Sequence, residues 1–210
     1  MPLRIPCFAL CIVAMVTAVS AWEPQTAPGF THLGFLHDPR LTEISGLAQS
    51  RRDPELFWVL NDSGNTAEIF AITLKGEVRA QVAIEGASNI DWEDLAAFEQ
   101  DGEPMLAIAD TGDNFKFQRQ AHIYLVPEPL PSARSVAVRR QYEFSYEGGI
   151  RDVESLAVDV PGQRFLMLDK GERPVGLYAL SLRQPAALAR RIADLPGSAP
   201  PARSLVLPRS

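Results

Sequence analysis

The chain has 210 residues and a formal charge of −6, from 20 basic and 26 acidic side chains. This acidic balance argues against a nucleic-acid partner, because neutralising phosphates requires a basic protein face. With 46% hydrophobic residues, the chain is long enough to bury a sizeable core.

Residues 1–21 are predicted to be an export signal. A basic start precedes an apolar run from Phe8 to Val19, and Val19-Ser-Ala21 supplies small residues for cleavage after Ala21. The run is short for a membrane span, and an uncleaved anchor is the alternative. Cys7 and Cys11 both lie in this segment. We therefore expect a secreted or periplasmic protein without disulfides, and without a membrane span after cleavage.

A short tail over residues 22–29 and a strand-like stretch, Phe30–Leu36, precede a sequence pattern that occurs three times. Each copy contains an apolar strand, a second apolar strand, an acidic turn, a third strand and a closing strand. The copies open with Ile44-Ser-Gly-Leu-Ala48, Trp92-Glu-Asp-Leu-Ala96 and Val153-Glu-Ser-Leu-Ala157, and they close with Arg79–Ile84, Arg140–Tyr146 and Arg190–Leu195. Four short strands per unit, with a period of roughly 40 to 60 residues, predict an all-β β-propeller of four-stranded antiparallel blades.

The propeller domain is predicted over residues 30–196, with blades at about 41–86, 87–148 and 149–196. Three blades are fewer than the four to eight that close a ring. Residues 197–210 are rich in proline and are predicted to be a disordered tail. The alternatives are a shortened copy of a longer propeller, and a homodimer in which two half-rings pair.

Acidic residues recur where the first strand of each unit begins and where its second and third strands join. In a four-stranded blade both loops open on the same face of the disc, so these oxygens would gather at one end of the channel. Oxygen donors of this kind suit calcium. The candidate ligands are Asp91, Glu93, Asp110, Asp113, Asn114, Asp152 and Glu154. For the segment that begins at Asp110, an ordinary hairpin turn is the alternative.

Basic residues lie in or near the same loops. They are Lys116, Arg119, Arg151 and Lys170. Positive groups beside a metal would suit an anionic ligand, and solvated loop charges are the alternative. The Gly-x-Ser-x-Gly motif is absent from the sequence, so a serine-hydrolase triad lacks its usual starting point.

The three opening motifs, each followed by an apolar strand that ends near an acid, resemble exported six-bladed propellers. The similar families are the SdiA-regulated and phytase-like propellers, with NHL and gluconolactonase-type proteins as distant relatives. The resemblance covers about half of a six-bladed ring and implies a calcium site in the central channel, with Glu93 and Glu154 among the ligands. The phytase-like members further imply hydrolysis of phosphate esters by metal-activated water.

Two functions follow from these observations. The favoured one is an exported propeller-type binding or scaffold protein with a calcium site on one disc face, whose partner is a protein, a glycan or a small anionic ligand. The alternative is a calcium-dependent hydrolase of phosphate esters or lactones, similar to phytases. Loss of turnover on removing the carboxylates at Glu93 and Glu154 would favour the hydrolase.

Overall fold

The computed structural model describes residues 31, 33–113, 120–170, 174–183 and 187–195. The chain divides into two units, Met1–His32 and Leu33–Ser210, and all the described strands lie in the second. The predicted export signal, N-terminal tail and C-terminal tail lie outside the described residues.

The described residues form thirteen β-strands, which confirms the all-β prediction. The strands are β1 (Ile44–Gln49), β2 (Leu56–Asn61), β3 (Glu68–Thr73), β4 (Val78–Glu85), β5 (Trp92–Gln100), β6 (Glu103–Asp110), β7 (Ala121–Pro127), β8 (Ser135–Ala137), β9 (Arg140–Tyr146), β10 (Val153–Asp159), β11 (Arg164–Asp169), β12 (Val175–Ser181) and β13 (Leu188–Leu195). Within these residues, no helix is long and apolar enough to cross a membrane.

The strands form two sheets that mix antiparallel and parallel pairs. Their orders are β1-β2-β3-β4-β8 and β10-β11-β12-β13-β9-β7-β6-β5. Within them, each sequence repeat is one antiparallel meander: the first unit is β1–β4, the second is β5, β6, β7 and β9, and the third is β10–β13. The parallel pairs are β4 with β8 and β9 with β13.

Two local predictions differ from the structure. The part of the stretch Phe30–Leu36 that is described, residues 31 and 33–36, is irregular instead of a strand, and Leu36 packs on the first unit beside Phe70. Strand β8 was not predicted, because its three residues lie in a proline-rich loop with no strand period. It pairs in parallel with the edge of β4 and extends that sheet by one strand.

The hydrophobic core lies between neighbouring units and is built by alternate residues of single strands. In β6, Leu106 and Ile108 pack toward the first unit, in a cluster with Trp58 and Trp92. Met105 and its alternate neighbours pack toward the third unit, in a cluster with Phe165 and Tyr178. Because successive side chains of a strand point to opposite faces, an uninterrupted apolar strand buries both faces. Full burial of such a side chain contributes about 1.5–3 kcal/mol.

The first strands of the three units lie side by side. Strand β5 lies against both β1 and β10. The ends at which these strands begin are therefore close together, and the acidic residues of the repeat are located there.

Candidate functional site

A β-bulge occurs at the same point in the first strand of every unit. The register shifts between Ile44 and Gly46, between Trp92 and Asp94, and between Val153 and Ser155. The bulged residues are Ser45, Glu93 and Glu154. An extra residue in one strand leaves the ladder locally and re-aims its side chain. This explains how an acid can begin an inner strand without pointing into an apolar core.

A second repeated contact fixes the loop after the second strand of each unit. The first residue of that loop donates its backbone N–H to the carbonyl of the residue two positions before the bulged residue. The pairs are Asp62 to Glu43 at 2.8 Å, Thr111 to Asp91 at 3.2 Å and Lys170 to Asp152 at 3.0 Å. Equivalent backbone positions therefore carry an acid in the first unit, a hydroxyl in the second and an ammonium in the third.

The bulge and the loop hydrogen bond bring five carboxylates together. We call them the acidic cluster: Asp62, Asp91, Glu93, Asp152 and Glu154. They form two groups that share Glu93. Asp62, Asp91 and Glu93 form one group, and Glu93, Asp152 and Glu154 form the other. In each group the oxygens lie within 4.8 Å of one another. Oxygens bound to one calcium ion at about 2.4 Å are separated by at most about 4.8 Å, so either group could hold a metal ion.

The electrostatics of the cluster centre on Glu93, whose side chain is 4% exposed. Burial raises the pKa of Glu93 to about 9, and the charges of Glu154, Asp62 and Asp91 add to this, while Lys170 opposes it. A carboxyl group with this pKa is mostly protonated at neutral pH unless a further positive charge compensates it. A divalent cation would supply that charge.

Lys170 is part of the cluster on the side of the third unit. Its Nζ lies 3.0 Å from Asp152 Oδ2 and also donates to Glu154 Oε1. Burial lowers the pKa of Lys170, but the hydrogen bonds to Glu154 and Asp152 outweigh it, so the pKa lies above its ordinary value. The ammonium therefore stays charged and neutralises one group of acids from within the protein.

Two further predicted ligands support the cluster from its border. Asp110 is fully buried, and its Oδ1 accepts the backbone N–H of Asp91 at 2.8 Å. Burial raises the pKa of Asp110. The backbone N–H of Asp113 donates to Asp152 Oδ1 at 3.2 Å. Both residues hold members of the cluster in place and lie outside its two groups. Asn114, also predicted as a ligand, lies outside the described residues.

Arg151, predicted to bind an anion, is engaged by the third unit. Its Nε donates to Tyr178 Oη at 2.6 Å, and its terminal nitrogens donate to the carbonyls of Ile150 and Gly148. Asp169 lies 3.7 Å from the same Nε. These contacts tie the loop before β10 to β12. Lys116 and Arg119, the other predicted basic residues, lie outside the described residues.

Gly112 keeps space open beside the acids. A Cβ at this position would overlap the carboxylates of Glu93 and Asp91. A cavity of about 210 Å³ adjoins it, lined by Asp113, Arg151 and Tyr146 among others. The cavity has room for a few atoms and is smaller than the usual ligand pockets of about 300–1,000 Å³.

Sequence reasoning placed four of the five carboxylates in the candidate metal set and omitted Asp62. It also assigned Lys170 to an external anion, whereas the structure pairs Lys170 with the acids. The register could have placed both Asp62 and Lys170 beside the acids, because they occupy the same position after the second strand of their units, although it does not determine the pairing of Lys170.

No protein-family model matches this chain, and no curated protein matches it. Among solved structures, it is distantly similar to a Bacteroides uniformis protein provisionally named a 6-phosphogluconolactonase, with 11% sequence identity and a TM-score of 0.36. The match covers 74% of this chain and 44% of that protein, so the chain spans less than half of its length. A similarity of this size carries no argument about activity.

Proposed function

We propose that this protein is an exported, propeller-type binding protein that holds a calcium ion in the acidic cluster and presents the surrounding face to a partner. The observation that carries the proposal is the convergence of carboxylates from three consecutive units around Glu93. Burying several acids together is costly without a compensating positive charge, and Lys170 supplies only one.

The propeller assignment is supported by the repeated connectivity. Each unit is a four-stranded antiparallel meander, and the first strands lie side by side with the same bulge. Apolar faces of neighbouring units pack together, which is how propeller blades are stacked. The six-bladed parent, the export and the pairing of half-rings are parts of the proposal.

Calcium is the proposed ion because every donor in the cluster is a carboxylate oxygen. Histidine and thiolate donors, which favour zinc and copper, are absent from both groups. Oxygen donors select hard cations, and calcium accepts the irregular geometry of a site built from loops and bulges more readily than magnesium does. The group Asp62, Asp91 and Glu93 is favoured, since Lys170 neutralises the other acids.

The hydrolase alternative receives less support from the described residues. Arg151 donates to Tyr178 and to two carbonyls, and Lys170 donates to Asp152 and Glu154, so both are engaged within the protein. An anionic substrate would have to displace one of these contacts. The partner is therefore proposed to be a protein or a glycan that binds without being cleaved, since a small anionic ligand would face the same displacement.

Calorimetric titration of the chelator-treated full chain with calcium, and separately with magnesium, tests the proposal. We expect saturable calcium binding that Asp62→Asn and Glu93→Gln each weaken by about tenfold or more. Glu55→Gln is the matched control, because Glu55 is exposed and remote in the fold from the cluster. Equal calcium binding by all three variants would refute the site. Calcium-dependent turnover of phosphate esters or lactones would favour the hydrolase.

A further inference from the structure

The third unit exposes the side that a following unit would cover. In β2 and β6, nearly all side chains are buried on both faces of the sheet. In β11 and β12, burial alternates, so that Phe165 and Tyr178 are buried while Leu166 and Leu177 are only partly covered. The open side of the third unit is thus an apolar surface that is less covered than its counterparts in the first two units.

The residue after each bulge marks how one unit meets the next. At the first junction, Gly46 lies so close to the following unit that a Cβ there would be 2.9 Å from the backbone N of Leu95. At the second junction, Asp94 Oδ2 accepts the backbone N–H of Leu156 at 2.8 Å. At both junctions the residue after the bulge lies beside the backbone nitrogen of a leucine in the next unit, and at the second junction it accepts that N–H; the Leu95 N–H donates to Asp94 Oδ1 of its own unit.

The third unit carries Ser155 at this position, and no backbone N–H of a further unit is described beside it. Ser155 is 5% exposed, and its Oγ has no hydrogen-bond partner among the residues that the structure describes. A buried hydroxyl without a partner costs free energy, which indicates that a donor or acceptor belongs on this side of β10.

The sequence supplies a leucine at the matching distance. In the first two units, ten residues separate the end of the closing strand from the leucine of the next unit, from Glu85 to Leu95 and from Tyr146 to Leu156. The third closing strand ends at Leu195, and the tenth residue after it is Leu205. Ser204-Leu205 also repeats the pair Ser155-Leu156.

We propose that the segment Ser204–Leu207 docks on the open side of the third unit, with the backbone N–H of Leu205 donating to Ser155 Oγ. The segment then covers apolar side chains of β11 and β12. Leu205 becomes buried in this contact, as Leu95 and Leu156 are at the earlier junctions. The proposal is independent of the acidic cluster and of any bound ion.

Cysteine cross-linking tests this contact in the full chain, with Cys7→Ser and Cys11→Ser as the background. The test pair is Ser155→Cys with Leu205→Cys, and the control pair is Ser155→Cys with Ser210→Cys. A disulfide requires Cα atoms within about 7 Å, so mild oxidation should close an intrachain bridge in the test pair at least about tenfold faster than in the control. Equal rates would overturn the proposal, and so would bridges between chains, which would place a second copy on this surface.

Hydrogen exchange provides the second measurement, because cysteine at Ser155 could itself disturb β10. Leu205→Asp should accelerate amide exchange in β10, β11 and β12, whereas Ser210→Asp should leave it unchanged. Identical protection of these strands in both variants would overturn the proposal.

Discussion

Replacing Glu93 by Gln should change the stability of the protein in opposite directions with and without calcium. When a chelator removes calcium, the carboxyl group of Glu93 must either take up a proton on folding or stay ionised, and both lower the free energy of unfolding. Glutamine removes that cost while keeping nearly the same volume. With calcium present, the same substitution removes a ligand, so the variant should gain less stability from the ion than the wild type does.

The size of the first effect follows from the pKa of Glu93, which lies at about 9 in the folded protein instead of its usual 4.5. At about pH 7.5 the cost would be at most about 4 kcal/mol, at roughly 1.4 kcal/mol for each pH unit above 4.5. Rearrangement of the neighbouring side chains and water penetration should reduce this to about 1–2 kcal/mol. For a chain of this size, each kcal/mol moves the Tm by about 2–4 °C.

Thermal melts of the wild type, Glu93→Gln and the control Glu55→Gln give the test. In chelator, Glu93→Gln should melt roughly 2–8 °C above the wild type. At calcium concentrations near 100 times Kd, the wild type should gain about 2.7 kcal/mol and the variant much less. A variant that melts below the wild type in chelator, or that gains as much stability from calcium as the wild type does, would contradict this prediction.

Three further expectations concern the same cluster. In chelator, the contribution of Glu93 to the free energy of unfolding should be fully present below about pH 4.5 and should be lost as the pH rises toward 9, because its folded-state pKa is raised. A urea denaturation series in which the wild type and Glu93→Gln lose free energy of unfolding with the same slope against pH would contradict this. Gly112→Ala should weaken calcium binding with little change in near-UV circular dichroism, since the added Cβ displaces two carboxylates, and unchanged calorimetry would count against it. Lys170→Met should lower the stability in chelator by about 1–3 kcal/mol and enlarge the gain from calcium, whereas the exposed control Lys75→Met should do neither.

The fold could be predicted where the period of apolar residues carries the information. The closing strand Arg140–Tyr146 was predicted with the bounds it has, because alternation there is clear. Strand β8 was missed because three residues carry no period, and its pairing depends on the edge of β4. Local preference cannot indicate a partner that is supplied by another unit.

The positions of the acidic residues in the site could be predicted from the sequence, but the pairing of Lys170 with them could not. Repeats aligned by their leucines place Glu93 and Glu154 at equivalent positions, so their convergence could be expected. The bulge that aims them at one point leaves no mark on the pattern of apolar residues. The choice of Lys170 as the internal counter-ion depends on distances of a few ångströms, which sequence spacing does not determine.

The asymmetry among the three units explains why an ion would bind between units instead of within one. The bulged residue is Ser45 in the first unit, where its Oγ donates to the carbonyl of Trp92 in the second. The acid of the first unit is therefore Asp62, in the loop after β2. Asp91 and Glu93 of the second unit lie close enough to Asp62 to share one ion with it. Because the third unit has its own ammonium, the uncompensated charge lies at the first junction. The same two units are joined elsewhere by apolar packing, by the β4–β8 pair and by hydrogen bonds. A cation would cross-link their acidic ends, and its removal should loosen those ends before the core clusters on either side.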